Sequence, residues 1–264
     1  MPRGEQRWFE GKNYDPSKIK NKVNLIAEKK ATKKLGIKRP NMLCDPVVPE
    51  RLKLLSPKIK MIAVLRDPIE RLYSAYFWHI RNGFIPNLEI NDGLLKLMER
   101  SEFWKSSLFR DGFYYAGLNA FSRHFPSDQL LILEQLDVIQ KPIETARKVF
   151  EFLDLQLNIA DVYFSNTKRN SSCYNHTRLG LYQLRNKYIF KYSAEGYLKP
   201  RSPFAMMCNS AFVSLDTRIL SRFLMDQQPA LEDRLSQSLV ELYSHDVEML
   251  RTYFNVGFKF KNFT

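Results

Sequence analysis

An arginine and a serine eight positions apart have the side-chain chemistry needed to bind an anion. Arg66 directly follows the apolar run Met61–Leu65, and Ser74 lies in the segment after it. A guanidinium can hold a phosphate or sulfate group through two parallel N–H donors, and a hydroxyl can add a further hydrogen bond. The pair therefore predicts an oxyanion site, provided that the chain folds both side chains toward one place.

The residues around Arg66 predict a strand that passes directly into a helix. Residues 61–65 are short and apolar, which is typical of a strand buried on both faces of a parallel sheet. Asp67 is a favourable N-cap, the proline after it suits the first helical position, and Glu70 falls three residues beyond the cap. Ligands of open α/β sheets bind at the carboxyl ends of strands, so we expect Arg66 at such an end and Ser74 about two helical turns further on.

The extended pattern resembles the 3′-phosphate-binding motif of sulfotransferases, in particular the carbohydrate (heparan-sulfate and chondroitin type) and bacterial branches. The matching residues are Leu65, Arg66, Asp67, Pro68, Arg71, Ser74 and Tyr76. The resemblance implies that Arg66 and Ser74 hold the 3′-phosphate of PAPS, the 3′-phosphoadenosine 5′-phosphosulfate donor. For an isolated Arg-Asp-Pro, the alternative is an arginine that ends a strand and pairs with Asp67 or Glu70.

Strands and helices alternate through the middle of the chain, which predicts an α/β fold with a parallel sheet. The segments after the motif are predicted as helices at 92–103, 112–121 and 142–153 and a strand at 129–133. The resemblance covers residues 40–155 and implies the three-layer sulfotransferase fold, similar to P-loop NTPases, with helices on both faces of the sheet. Residues 174–253 are predicted to be helical.

The chain is predicted to form one domain, residues 1–264, in which an irregular basic segment at 1–57 precedes the core at 58–264. The first segment is interrupted by Pro16, Pro40, Pro46, Pro49 and Pro57, and its residues 1–40 hold 12 basic and 4 acidic side chains. It is either a solvated arm or a substrate-binding surface.

The whole chain carries 41 Lys and Arg against 28 Asp and Glu, a net charge of +13. This balance favours anionic partners, and we expect an acidic carbohydrate acceptor. Nucleic acid is not expected, because basic residues are not interleaved with aromatic ones in a recognisable module.

The resemblance alone makes three further basic residues candidates for binding the acceptor or the nucleotide. Relatives carry Glu-Lys-(Ser or Thr)-Pro near the acceptor, so Lys29, which follows Glu28, is a candidate for acceptor binding, with a surface lysine as the alternative. Lys168 and Arg169 lie in a polar basic loop at the point where relatives close over the nucleotide. They are candidates for the 3′-phosphate, with a plain solvated loop as the alternative.

One half of the expected donor site is missing from the sequence. In the family that the motif resembles, a Lys-x-Gly-Thr-Thr-like loop between a strand and a helix cradles the 5′-phosphosulfate, some tens of residues before the Arg-Asp-Pro strand. No such segment precedes Arg66. Either Met1 lies inside a longer protein, or the chain is a divergent relative that keeps the 3′-phosphate half-site and has lost or replaced catalysis. No catalytic residue is assigned; His79 is a candidate base, with a packed or solvated histidine as the alternative.

Two functions follow from these features. The first is a PAPS-dependent sulfotransferase that transfers the sulfuryl group to a hydroxyl or amine of a carbohydrate and releases PAP. The second is a catalytically impaired or truncated sulfotransferase-like protein that binds a polyanionic glycan or a partner. No metal is expected, since no His, Cys or carboxylate cluster is visible.

The compartment depends on what lies outside the sequence. No apolar stretch approaches the roughly 18 residues that cross a bilayer. Three Asn-x-Ser/Thr triplets favour a glycoprotein of the secretory route, and three cysteines allow one disulfide with one thiol left over. We expect a Golgi-lumen location if the chain belongs to a longer eukaryotic protein, and a cytoplasmic one otherwise.

Overall fold

The computed structural model describes residues 8–10, 14–30, 35–156, 173–192, 198–255 and 257–263. Its strands are β1 (Met61–Leu65), β2 (Leu130–Glu134), β3 (Phe190–Tyr192) and β4 (Leu198–Pro200). Its α-helices are α1 (Pro16–Lys30), α2 (Val48–Leu55), α3 (Pro68–Asn82), α4 (Ile90–Met98), α5 (Ser107–Arg110), α6 (Tyr114–Ser122), α7 (Gln135–Gln140), α8 (Pro142–Phe152), α9 (His176–Ile189), α10 (Pro203–Leu215), α11 (Ser221–Phe223) and α12 (Asp233–Phe254). A π-helical turn, Asp216–Leu220, joins α10 to α11.

The two longer strands form a parallel pair, and the α/β class is confirmed. Met61 lies opposite Leu130, and Leu65 lies opposite Glu134. The chain between the strands runs through α3 to α6, which is the long crossover that a parallel pair requires. Both strands consequently end at the same edge, one at Leu65 and the other at Glu134.

Burial of β1 differs between its two faces. Ala63 and Leu65 pack into the main core, whereas Ile62 and Val64 are 37% and 52% exposed. The expectation that the strand is buried on both faces is therefore wrong for the face that carries Ile62 and Val64. Within the part of the chain that the structure describes, the helices of the main core cover only the other face, and an apolar run alone cannot say which faces will be covered.

The main core lies between α3 and α12. Leu72 and Ile80 of α3 are fully buried, as are Leu239, Tyr243 and Leu250 of α12. At α4, Gly93 leaves room for the ring of a tyrosine, because a Cβ there would lie 1.7 Å from the Tyr76 hydroxyl, which donates to the Leu88 carbonyl at 2.8 Å. Aromatic side chains of α3 and α12, Tyr76 and Tyr243 among them, thus belong to the core.

The basic N-terminal segment is more regular than its prolines indicated. Pro16 begins the 15-residue helix α1 instead of interrupting one, because a proline is tolerated in the first turn, where its missing N–H has no partner to lose. Ile19 is buried in a second cluster together with Val48 and Leu52 of α2 and Phe121. Part of this segment therefore packs against α2 and α6.

The region after residue 174 also departs from expectation. A short antiparallel hairpin, β3 with β4, stands between α9 and α10, so the prediction of helix throughout is wrong there. Phe190 and Tyr192 are aromatic and favour extended chain, and Pro200 and Pro203 prevent a helix from running through β4 into α10. Cys44, Cys173 and Cys208 are free thiols.

Asp246 of α12 caps the start of α6 from 132 residues away. Its carboxylate accepts hydrogen bonds from the backbone N–H of Tyr114 at 2.7 Å and of Tyr115 at 3.1 Å. No side chain next to α6 supplies a cap, so this contact satisfies donors that a helix start leaves without partners. Burial raises the pKa of Asp246, and the N–H groups that it binds oppose that shift.

Replacing Asp246 by alanine should lower the free energy of unfolding by about 2–3 kcal/mol, because two buried N–H groups lose their acceptor. Asp246→Asn should lose about half as much, since its amide oxygen can still accept. Urea denaturation measures both. Glu248→Ala, an exposed change on the same helix, should stay within about 0.5 kcal/mol of wild type; an equal loss at the two positions would contradict the cap.

Candidate anion-binding site

The junction of β1 and α3 is built around the buried carboxylate of Asp67. Its Oδ1 accepts the backbone N–H of Ile69 at 2.9 Å and of Glu70 at 3.1 Å, and Pro68 occupies the first helical position. The predicted N-cap is thus confirmed. Since the cap fixes where α3 begins, it also fixes the direction in which the side chain of Arg66 leaves the strand.

Arg66 lies beside Glu70 on the first turn of α3. A guanidinium nitrogen of Arg66 donates to the Glu70 carboxylate at 3.0 Å, and the two side chains are 34% and 37% exposed. Arg66 therefore ends the strand and pairs with Glu70 in this structure. This is the alternative that was given for an isolated Arg-Asp-Pro. An ion pair with about a third of each side chain exposed contributes about 0–1 kcal/mol to stability. The guanidinium of Arg66 therefore remains available to a more strongly charged anion.

Ser74 lies on the same face of α3 as Glu70. The two residues are four positions apart, so their side chains are neighbours, about one turn or 5.4 Å along the axis. Ser74 is partly buried, and its hydroxyl forms no hydrogen bond with any residue that the structure describes. Arg66, Glu70 and Ser74 therefore form one polar strip that begins at the carboxyl end of β1.

A segment close to the C-terminus lies across the carboxyl edge of the sheet. Asn262 donates from its backbone N–H and its side-chain amide to the two oxygens of Asp67, both at 3.0 Å. The backbone N–H of Lys259 donates to Glu134, the last residue of β2, at 3.1 Å. Phe260 and Phe263 are buried in the main core, so the segment is a permanent part of this edge.

A groove lies between α12 and this segment. It has a volume of about 440 Å³, and its lining includes Ser244, Arg251 and Asn262. Neither Arg66 nor Ser74 lines it. An Arg251 nitrogen already donates to the carbonyls of Phe258 and Phe263, so this cation secures the terminal segment.

His79 is held as a packed histidine. Its Nδ1 lies 2.8 Å from the Ala75 carbonyl, so Nδ1 carries the proton, and its ring contacts those of Trp78 and Phe84. Burial lowers the pKa of His79, with Arg71 adding to the effect. His79 is therefore in the packed environment that was the alternative to its role as a catalytic base.

The three remaining candidates are Lys29, Lys168 and Arg169. Lys29 lies near the end of α1, on the segment before β1, and Lys168 and Arg169 lie outside the described residues. Before β1, residues 8–10, 14–30 and 35–60 contain helices and no strand, so these residues supply no strand, loop and helix for a 5′-phosphosulfate. Within the described part of the chain, no group of three His, Cys, Asp or Glu residues is arranged to hold a metal ion.

Comparison with known proteins identifies the family. The family model described as "Sulfotransferase domain" matches residues 39–198. The chain belongs to the sulfotransferase family. The resemblance based on Arg66 and its neighbours is thus confirmed at the level of the family.

The curated relatives are heparan-sulfate enzymes. The chain is 31% identical over 137 residues to heparan sulfate glucosamine 3-O-sulfotransferase 3B1 of Mus musculus, and 31% identical over 137 residues to the enzyme of the same name of Homo sapiens. In each case the match covers 50% of this chain and 34% of the relative. The chain therefore spans about a third of the length of the curated relatives that it matches.

Two solved structures are similar over most of the chain. The sulfotransferase from Alicyclobacillus acidocaldarius has a TM-score of 0.41 and 18% identity, and covers 71% of this chain and 63% of its own. The sulfotransferase domain from the curacin biosynthetic pathway has a TM-score of 0.41 and 15% identity, with coverages of 74% and 68%.

Sequence reasoning identified the strand, the cap and the polar strip but missed the terminal segment. Asn262 lies 195 positions from the carboxylate that it binds. No local pattern around Asn262 indicates its partner.

Substitutions at Asp67 can separate the cap from the contact with Asn262. Asp67→Asn can still cap α3 through its oxygen, but its NH₂ group would face the donors of Asn262. We expect it to lower the free energy of unfolding by about 1–2 kcal/mol, as Asn262→Ala does, whereas Asp67→Ala should lose about 2–4 kcal/mol.

Chemical denaturation of the variants and of the Asp67→Asn, Asn262→Ala double variant measures the coupling. The double variant should lose less than the sum of its parts, because both changes remove the same contact. Asp128→Ala, an exposed carboxylate ahead of β2, is the control. Full additivity would contradict the contact between Asp67 and Asn262.

Proposed function

We propose that this protein is a sulfotransferase that binds the 3′-phosphate of PAPS with Arg66 and Ser74 and transfers the sulfuryl group to a carbohydrate. The observation that carries the proposal is the polar strip at the carboxyl end of β1, in a chain of the sulfotransferase family. A guanidinium and a hydroxyl on one helix face suit a tetrahedral oxyanion. The position agrees with the general rule for ligands of α/β sheets.

When Arg66 binds a phosphate, the free energy of its ion pair with Glu70 is lost. A surface pair with about a third of each side chain exposed contributes at most about 1 kcal/mol. A phosphate carries more negative charge than one carboxylate and accepts two parallel hydrogen bonds from a guanidinium. Arg66 is therefore expected to exchange Glu70 for the ligand, and Glu70 is a mild competitor.

The acceptor is proposed to be a hydroxyl or amine of a glycosaminoglycan. The two relatives are named for the glucosamine of heparan sulfate, and the net charge of +13 attracts a polyanion of that kind. Lys29 remains a proposed contact to the acceptor. A glycoprotein nature and a Golgi-lumen location likewise remain predictions.

Transfer would proceed by in-line displacement at sulfur. The bond from sulfur to the bridging oxygen of PAPS breaks as the acceptor oxygen or nitrogen forms its bond; the acceptor proton leaves, and PAP is released. The role proposed for this chain's residues is to anchor the nucleotide through its 3′-phosphate, with Lys168 and Arg169 as further proposed contacts. No catalytic residue is assigned.

The second candidate function, a binding protein without turnover, rests on one observation. The described residues ahead of β1 contain no strand that could lead into a 5′-phosphosulfate loop. Sulfate transfer from labelled PAPS to heparan sulfate by the purified chain would reject it. Retention of heparin without transfer would favour it.

Titration with PAP by calorimetry tests the phosphate site without an acceptor. Arg66→Ala should weaken PAP binding by about tenfold to a hundredfold, because a charged hydrogen-bond donor is lost, and Ser74→Ala by about fivefold. Glu70→Gln should strengthen binding by about twofold to fivefold, since it removes the competing carboxylate.

Arg147→Ala on the exposed surface of α8 is the matched control and should bind PAP like wild type. Equal affinity in wild type and Arg66→Ala would refute the phosphate site. Weaker binding in Glu70→Gln would show that Glu70 positions Arg66 and does not compete with the ligand.

A further inference from the structure

The surface of α10 and of the turns after it is unusually apolar. Phe204, Met207 and Phe223 are 67%, 64% and 82% exposed, and Leu215, Ile219 and Met225 are also exposed. We call these six residues the α10 surface. Single exposed apolar side chains are ordinary, but a group of large ones along one element is typical of an interaction site.

Helical spacing places most of this surface on one side. Phe204, Met207 and Leu215 follow one another at three- and eight-residue steps, which keep them on one face of an α-helix. Ile219 and Phe223 continue at four-residue steps through the π-helical turn. Because that turn holds more residues than an α-helical turn, it reduces the sideways drift that four-residue steps would otherwise accumulate.

An adjacent side of the same element, about a quarter-turn around the helix, is already used for packing. Ala205 is buried, and the ring of Phe212 contacts that of Tyr182 on α9 at 5.1 Å. Asp216 is buried and pairs with Arg178 of α9 at 2.9 Å. The α10 surface lies beside this packed side, and its own side chains remain exposed.

Basic side chains surround the α10 surface. Residues 187–225 contain six Lys and Arg and two Asp and Glu, and one of the two acids is the buried Asp216. The exposed basic residues stand on the β3–β4 hairpin and its flanks and directly before Ile219 and Phe223; they are Lys187, Lys191, Lys199, Arg201, Arg218 and Arg222. The hairpin packs against α9, and its second strand contacts α10.

From this combination we propose that the α10 surface binds the face of an anionic lipid bilayer. Aromatic and methionine side chains can enter the boundary between headgroups and acyl chains while the surrounding lysines and arginines contact acidic headgroups. A soluble polyanion would use the basic residues but leave Phe204 and Phe223 in water. A second copy of the chain would bring the like charges of Arg218 and Arg222 together.

The attachment is of the peripheral kind. Among the residues that the structure describes, no helix has the length and apolar character to cross a membrane. The proposal does not depend on the sulfotransferase function, because none of its residues belongs to the polar strip at β1.

Co-sedimentation of the full chain with vesicles tests the proposal. Binding is expected to phosphatidylcholine vesicles that contain phosphatidylserine, to fall with added salt, and to be much weaker with phosphatidylcholine alone. Phe204→Ser with Phe223→Ser, and separately Arg218→Gln with Arg222→Gln, should each weaken binding by about tenfold or more.

Matched controls change exposed residues elsewhere. Leu54→Ser with Ile139→Ser replaces side chains that are 73% and 67% exposed, and Arg147→Gln with Lys148→Gln removes two exposed cations of α8. Both should bind like wild type, and thermal unfolding followed by circular dichroism should be unchanged in all four variants.

Three results would overturn the proposal. The first is the absence of vesicle binding by wild type. The second is equal weakening in the controls, which would indicate attraction by net charge alone. The third is a dimer in sedimentation velocity that Phe204→Ser with Phe223→Ser dissociates, because the α10 surface would then join two copies of the chain.

Discussion

The hydrogen bonds of the Asp67 carboxylate are the constraint on which the rest of the structure depends. This buried side chain caps α3 through two backbone N–H groups and holds Asn262 through two more donors. It therefore fixes the start of the helix that carries Glu70 and Ser74 and, at the same point, the segment that covers the carboxyl edge of the sheet. A carboxylate suits this place because it can accept four hydrogen bonds and donates none.

Carboxylates that accept two backbone N–H groups recur in the fold. Asp246 serves α6 as Asp67 serves α3, and Asp226 accepts the backbone N–H groups of Tyr174 and Asn175 ahead of α9. In each case a carboxylate satisfies donors that would otherwise lack a partner, and two of the three reach across more than 50 residues of chain. Among the described residues, the helices are thus positioned by charge-assisted contacts as well as by apolar packing.

The polar strip at β1 and the α10 surface have different physical character. The strip contains a charged pair that is weak because water reaches it, and such a pair can be exchanged for a ligand. The α10 surface is apolar and framed by cations, and its inner side is secured by the buried pair of Arg178 and Asp216.

The sequence by itself determined the local structure around Arg66. Residues 61–74 specify a strand, a cap, a helix start and an arginine and serine at fixed spacing, because each of these features depends on neighbours within a few positions. The family also follows from this stretch. Only the tertiary structure decided that one face of β1 is exposed, that Arg66 pairs with Glu70, that a hairpin interrupts the predicted helical region and that Asn262 reaches Asp67. These outcomes depend on which distant segments pack together, and local propensity carries no information about partners nearly 200 residues away.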